Sequence, residues 1–156
     1  MDIEYPCGKD VVEAVLPHRD PFCWVSRIVA CEPGVEVTAE LDVDPELALF
    51  AGHFPGHPVL PGVIIMEALA QAASFCILVE RGAEVHRVPH RHRGAKFRRQ
   101  VEPGETLTLK GRIVKSSSRL CVAEVEASRR RRGVRVGDAE VRAGESGSLK
   151  EREAVR

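Results

Sequence analysis

The apolar residues of this chain fall into two rhythms. Val35, Val37, Ala39 and Leu41 alternate with Glu36, Thr38 and Glu40. A period of two sends one set to each face of a strand, so this stretch predicts a half-buried β-strand. Leu107, Leu109 and Ile113 alternate in the same way with Thr108, Lys110 and Arg112, and Cys121, Ala123, Val125 and Ala127 with Val122, Glu124 and Glu126. Cys23 to Cys31 reads as a first strand, Val85 to Phe97 as a strand disturbed by Pro89, and Val134 to Val141 as a last one. Pro33-Gly34 and Pro103-Gly104 mark turns, and the run Arg129-Arg130-Arg131-Arg132-Gly133 reads as a solvated turn.

The second pattern is a long, largely apolar run. Pro61 stands at a first helical position and Gly82 at a stop, and the residues between them predict one long helix, apolar on most sides and therefore surrounded by protein. Its apolar run, Val63 to Val79, is slightly short for a bilayer span and is interrupted by Glu67 and Gln71. Shorter helices are expected over Asp10–Leu16, stopped by Pro17, and over Pro45–Phe50. One buried helix and several half-buried antiparallel strands imply an α+β fold, a sheet curled around the helix. Its free edges favour pairing with a second copy. Neither a repeat nor a linker divides the chain, so residues 1–143 form one domain, followed by a polar, disordered tail over 144–156.

Composition narrows the class. Lys and Arg number 23, as do Asp and Glu, so no whole-chain field points to nucleic acid or to an anionic membrane. The five cysteines are scattered and odd in number, with no CxxC spacing, which predicts reduced thiols in the cytoplasm and no structural metal. The early acids Asp2 and Glu4 argue against a secretory signal.

Candidate chemistry lies in Gly52 to Gln71. Gly52, Gly56, Gly62, Pro55, Pro58 and Pro61 make a tight, irregular approach to the long helix. His53 sits in that approach and Glu67 in the second helical turn. A helix start offers unpaired N–H groups and a positive dipole end to an oxygen gaining negative charge, and Gly62 lets a ligand come close to that backbone. A glutamic acid in an apolar helix is desolvated, which favours its protonated form, while a histidine can act as base. A base, an acid and an oxyanion donor suit removal of water beta to a carbonyl. The same residues have plainer readings. A histidine in such a loop is an ordinary hydrogen-bonded structural residue, and Glu67, Gln71 and Ser74, spaced i, i+4, i+7, make a solvent stripe.

From Leu16 to about Val114 the chain resembles the FabZ-type 3-hydroxyacyl-acyl-carrier-protein dehydratases. Leu16-Pro17-His18-Arg19-Asp20-Pro21-Phe22 resembles that family's Leu-Pro-His-Arg-Tyr-Pro-Phe, and Gly52 to Gln71 matches its active-site segment without a gap. Lys96-Phe97-Arg98-Arg99 and Val101-Glu102-Pro103-Gly104-Glu105 resemble its Arg-Phe-Lys-Arg and Val-Val-Pro-Gly-Asp. The resemblance implies a hotdog fold, a homodimer that can assemble as a trimer of dimers, and a (3R)-hydroxyacyl substrate on the phosphopantetheine arm of an acyl carrier protein. No other cofactor is implied. It implies His53 as the catalytic histidine, Glu67 as the catalytic acid contributed from the other subunit, and Gly62 N–H as the thioester-binding group. Gln71 matches a helix glutamine with a supporting role. Pro55, Gly56, Pro58 and Pro61 match structural positions, as does His57, where some members carry Lys.

The chain departs from the family at Asp20, where an aromatic is usual, and over Val85 to Gly94, which helps form the acyl tunnel there. A specialised carrier, as in polyketide synthesis, is one reading of these differences. The basic residues Arg87, Arg91, Arg93, Lys96, Arg98 and Arg99 are either a solvated edge or a docking surface for an acidic carrier protein. His86, His90 and His92 would share one strand face, but nothing supplies the outer partners a metal site needs. Three rival activities stand beside the dehydratase. A FabA-type dehydratase/isomerase would carry Asp in place of Glu67. A non-catalytic hotdog subunit would have lost the His or the acid, and a hotdog thioesterase would release free thiol.

Overall fold

The computed structural model describes residues 2–82, 98–117 and 121–130. Helix α1, Lys9–Val15, buries Val12 and is shifted one residue toward the N-terminus from the expected Asp10–Leu16, because Leu16 takes the extended backbone that a following proline demands. Four strands form one antiparallel sheet in the order β1 (Arg27–Glu32), β2 (Glu36–Asp42), β3 (Thr106–Ser116) and β4 (Cys121–Arg129). Helix α2, Gly62–Arg81, packs against all four. The helix enclosed by an antiparallel sheet is the hotdog arrangement.

The residues of α2 from Ala68 to Leu78 are all buried, so no helical face is left to water. Gln71 is 1% exposed and Ser74 3%, which removes the solvent-stripe reading of that face. By length and apolarity α2 could cross a membrane, but its surface is spent on the sheet. Pro61 is the N-cap, with ψ 136°, and Gly62 is the first helical residue, one position later than the pattern suggests. The φ of proline suits either position, and only ψ separates them. Gly82, at φ 76°, ends the helix where expected.

Strand β1 begins at Arg27 and not at Cys23. Cys23, Trp24 and Val25 are buried in succession, which a strand with one face on the core cannot achieve. Pro45 to Phe50 does not form an α-helix. A short 3₁₀ turn over Ala48–Ala51 follows an Asp44 side chain that accepts the Glu46 N–H at 2.8 Å. The first two arginines of the expected turn are not in a solvated turn, and Arg131 to Gly133 lie outside the described residues. Arg129 pairs with Leu107 at the end of β4, and Arg130 N–H still donates to Thr106 O at 2.8 Å. Their charges are used: Arg129 meets Glu105 at 2.8 Å, and Arg130 meets the buried Glu40 at 2.7 Å from one side while Arg27 closes the other. The strand expected over Val85–Phe97, with His86, His90 and His92, lies outside the described residues, as do the last strand and the tail.

Register carries the core. Val37 faces Gly111, which faces Val125, and Ala39 faces Leu109, which faces Ala127. Gly111 is the point where β3 meets α2: a Cβ there would stand 3.2 Å from Val37 Cγ1 and 3.7 Å from Ala73 Cβ. Neighbours at that spacing must give way to any larger side chain. Gly111→Val should therefore lower stability by about 1–3 kcal/mol through overpacking. Urea unfolding that leaves the midpoint unchanged would show the contact to be slack.

Candidate active site

His53 is placed by the turn before it. The N–H groups of Gly52 and His53 both donate to Leu49 O, at 3.2 and 3.0 Å, and close the 3₁₀ turn. Pro55 and Gly56 then occupy the central positions of a tight turn from Phe54 to His57, with Gly56 at φ 75°. Proline first and a left-handed glycine second is the type II pattern, and any side chain at Gly56 would strain it. Past Pro58, Val59 N–H returns to His53 O at 2.9 Å, and Leu60 N–H reaches Val101 O at 2.8 Å. His57 is exposed and holds the loop to the neighbouring segment through Gln100, with Nε2 3.2 Å from Oε1.

The His53 ring is oriented by one bond. Nδ1 lies 2.7 Å from Val59 O. A carbonyl only accepts, so Nδ1 carries the proton and Nε2 presents a lone pair. The Phe54 ring stacks on the imidazole at 4.1 Å and is itself 52% exposed.

Glu67 lies on α2, its side chain 30% exposed. One turn on, Gln71 is buried with its amide fully engaged. Its Oε1 accepts the Trp24 N–H at 2.8 Å, and its Nε2 donates to Phe22 O at 2.8 Å and to Glu67 Oε1 at 2.9 Å. Two backbone partners of opposite kind fix which end of the amide is nitrogen. Gln71 therefore does two jobs: it straps the Phe22–Trp24 segment to α2, and it orients the Glu67 carboxyl. Lys9 pairs with Asp20 and ties α1 to the same strap, and that hydrogen bond pushes the Lys9 ammonium up from its usual value.

Gly62 N–H opens α2 and has no acceptor among the described residues. His53 and Glu67 of one chain share no hydrogen bond or ion pair among the described residues. Each stands beside an exposed apolar side chain: Phe54 follows His53, and Phe22, 51% exposed, is held by the same Gln71 that holds Glu67. Val63, next to Gly62, is 70% exposed. Arg98 and Arg99 are exposed and lead into Gln100, while Arg91, Arg93 and Lys96 lie outside the described residues. No cluster of three or more His, Cys, Asp or Glu among the described residues could hold a metal.

Sequence reasoning missed His18. Its Nε2 is 3.5 Å from Glu67 Oε1, although 49 positions separate the two residues. The signal available was a polar residue directly after the helix-stopping Pro17, within the Leu-Pro-His-Arg segment.

In chemical terms the residues supply an imidazole whose Nε2 has no partner among the described residues, an oriented carboxyl and a helix-start N–H. A family model described as "FabA-like domain" matches residues 16–140. The 3-hydroxyacyl-[acyl-carrier-protein] dehydratase FabZ of Wolbachia sp. subsp. Drosophila simulans (strain wRi) is 44% identical over 106 residues, 67% of this chain and 73% of that protein. The protein of the same name from Chloroflexus aggregans is 41% identical over 130 residues, 82% of this chain and 80% of the other. Among solved structures, the dehydratase heterocomplex ApeI:P from Xenorhabdus doucetiae shares the fold, with TM-score 0.63 and 19% identity over 81% of this chain and 83% of that one. The family model's match takes in the Leu16–Phe22 segment, the His53 loop and the Glu67 helix together, and with relatives this similar the chain belongs to the FabZ family of 3-hydroxyacyl-[acyl-carrier-protein] dehydratases.

Proposed function

We propose that this enzyme dehydrates (3R)-3-hydroxyacyl thioesters on acyl carrier protein to trans-2-enoyl thioesters in fatty-acid biosynthesis, in the cytoplasm. The observation that carries the reading is the Val59 O bond to His53 Nδ1, which leaves Nε2 as a base. His53 Nε2 takes a proton from C2, acidified by the thioester. The C2 electron pair forms the C2–C3 double bond as the C3–O bond breaks. Glu67, protonated beforehand, gives its proton to the departing hydroxyl, which leaves as water. Gly62 N–H and the start of α2 stabilise the negative charge that builds on the thioester oxygen. Within the step the proton count balances, His53 gaining one proton as Glu67 loses one, and before the next turnover His53 releases its proton to solvent and Glu67 takes one up. The scheme consumes no cofactor beyond the phosphopantetheine arm.

The base and the acid of one site come from two subunits of a homodimer. In support, the pair is not joined within one chain among the described residues, and Phe22, Phe54 and Val63 leave apolar surface beside it. The exposed Arg98 and Arg99, with Arg91, Arg93 and Lys96, offer positive charge to an acidic carrier protein.

General acids and bases contribute about 10²- to 10⁴-fold each, so His53→Ala and Glu67→Gln should each lower kcat by that order while circular dichroism stays unchanged. A folded Glu67→Gln enzyme with wild-type turnover of carrier-linked substrate removes Glu67 from the mechanism. Mixing the two inactive variants tests the shared site. Random reassortment in a two-fold dimer makes half the dimers mixed, each with one intact site, so about a quarter of wild-type activity should return. No recovery after verified subunit exchange would confine each site to one chain. For the basic residues, Arg98→Glu with Arg99→Glu should raise KM for carrier-linked substrate and leave a pantetheine thioester unaffected. Equal loss on both substrates would place the defect in folding.

A further inference from the structure

Among the described residues the Glu67 carboxyl has two polar partners, and both address the same oxygen. Gln71 Nε2 donates to Oε1 at 2.9 Å, and His18 Nε2 lies 3.5 Å from that atom. No described residue donates to Oε2. The Gln71 amide cannot turn round, because its own oxygen is taken by the Trp24 N–H. Oε1 is therefore an acceptor in every protonation state, and when Glu67 is the acid its single proton sits on Oε2.

The His18 ring can be assigned by the same logic. Its Nδ1 is buried and has no hydrogen-bond partner among the described residues, so the ring's one polar contact is Glu67. A proton on Nδ1 would bury an unpaired N–H and set the bare Nε2 lone pair against the carboxyl oxygen. A proton on Nε2 leaves only a lone pair at Nδ1 and points a donor at Oε1, which is the cheaper arrangement. The ring is held from behind: Arg19 Nη1 donates to the carbonyls of Leu16 and His18, at 2.8 and 2.7 Å, and stiffens the backbone between α1 and the Phe22–Trp24 strap. The separation of 3.5 Å exceeds the usual hydrogen-bond range, as is common where catalytic contacts tighten only with substrate in place.

We propose that His18 is a positioning residue for the Glu67 carboxyl: its Nε2–H and the Gln71 amide together hold Oε1, turn the proton-bearing Oε2 toward the substrate hydroxyl, and steady the carboxylate left once that proton is given up. This rests on Glu67 being the acid. His18 does not touch the substrate, and its effect passes through Glu67.

The experiment compares His18→Phe, which keeps the ring and removes the donor, with His18→Gln, whose Nε2 can still donate. Both are made in the wild-type and Glu67→Gln backgrounds and assayed on carrier-linked 3-hydroxyacyl substrate. His18→Phe should lower kcat on the order of tenfold, as loss of an orienting partner does elsewhere, with KM changed less than about twofold. His18→Gln should recover most of that loss. In the Glu67→Gln background His18→Phe should cost nothing further, because the group it positions is gone. Wild-type kcat in folded His18→Phe overturns the inference, as does the same fold-loss in both backgrounds or a His18→Gln enzyme no better than His18→Phe. If His18→Phe does not fold, His18→Ala takes its place, and wild-type kcat there is equally fatal. A Glu67→Gln enzyme with full activity overturns the acid assignment itself, and the two failures are thereby told apart.

Discussion

Helix α2 carries apolar side chains all round from Ala68 to Leu78, and a helix of that kind is stable in water only when every face is covered. The sheet supplies the cover. Val37, Ala39 and Leu41 of β2 and Leu107 and Leu109 of β3 are all buried, and Gly111 lets β3 come close at Ala73. The turn at Gly34, with φ 73°, locks its N–H onto Cys76 O at 3.1 Å and ties the β1–β2 hairpin to the far half of the helix. Burying a side chain such as Phe75 or Leu69 is worth roughly 1.5–3 kcal/mol. Enclosure of α2 is therefore the constraint to which strand register, turn positions and the N-terminal strap conform.

Within that enclosure the Gln71 amide is admitted at full depth, and its cost explains how Glu67 is held. A buried amide without partners is destabilising by several kcal/mol on apolar transfer scales, about 2–7. Gln71 avoids this by bonding Trp24 N–H, Phe22 O and Glu67 Oε1 at once. The bonds that satisfy the amide also bring His18 and Phe22 to α2 and orient the carboxyl. Packing and chemistry here rest on the same bonds, so the strap cannot shift without disturbing Glu67.

The two histidines show how environment divides roles between identical side chains. His53 spends Nδ1 on a backbone carbonyl, and its Nε2 has no partner among the described residues. His18 has no partner for Nδ1 among the described residues and turns Nε2 to a carboxyl. Neither sits on a regular element: each follows a turn or helix end closed by backbone bonds, His53 by Leu49 O and His18 by the Leu16 N–H to Val12 O at 2.8 Å. Irregular backbone held by such closures allows ring orientations that a helix or strand would not offer.

The sequence by itself determined what depends on local rules. The period of two over Val35–Leu41 and the unbroken apolar run after Gly62 specify β2 and α2, because alternation and helical burial are read from neighbouring residues. Gly82, Pro17 and the Pro-Gly turns likewise act on their own backbone. The segment Gly52–Gln71 carries the family's motif, so His53 and Glu67 were legible as candidates. Tertiary structure decided what depends on partners distant in the chain. Whether Gln71 met solvent or bonded a strap 47 positions away, whether Cys23–Ser26 joined β1, and whether Arg129 and Arg130 stood in a turn or paired with Glu105 and Glu40 were settled by long-range contacts. His18 belongs to this second group: nothing near it in sequence needs an imidazole, and its carboxyl partner arrives only when α2 packs beside the strap.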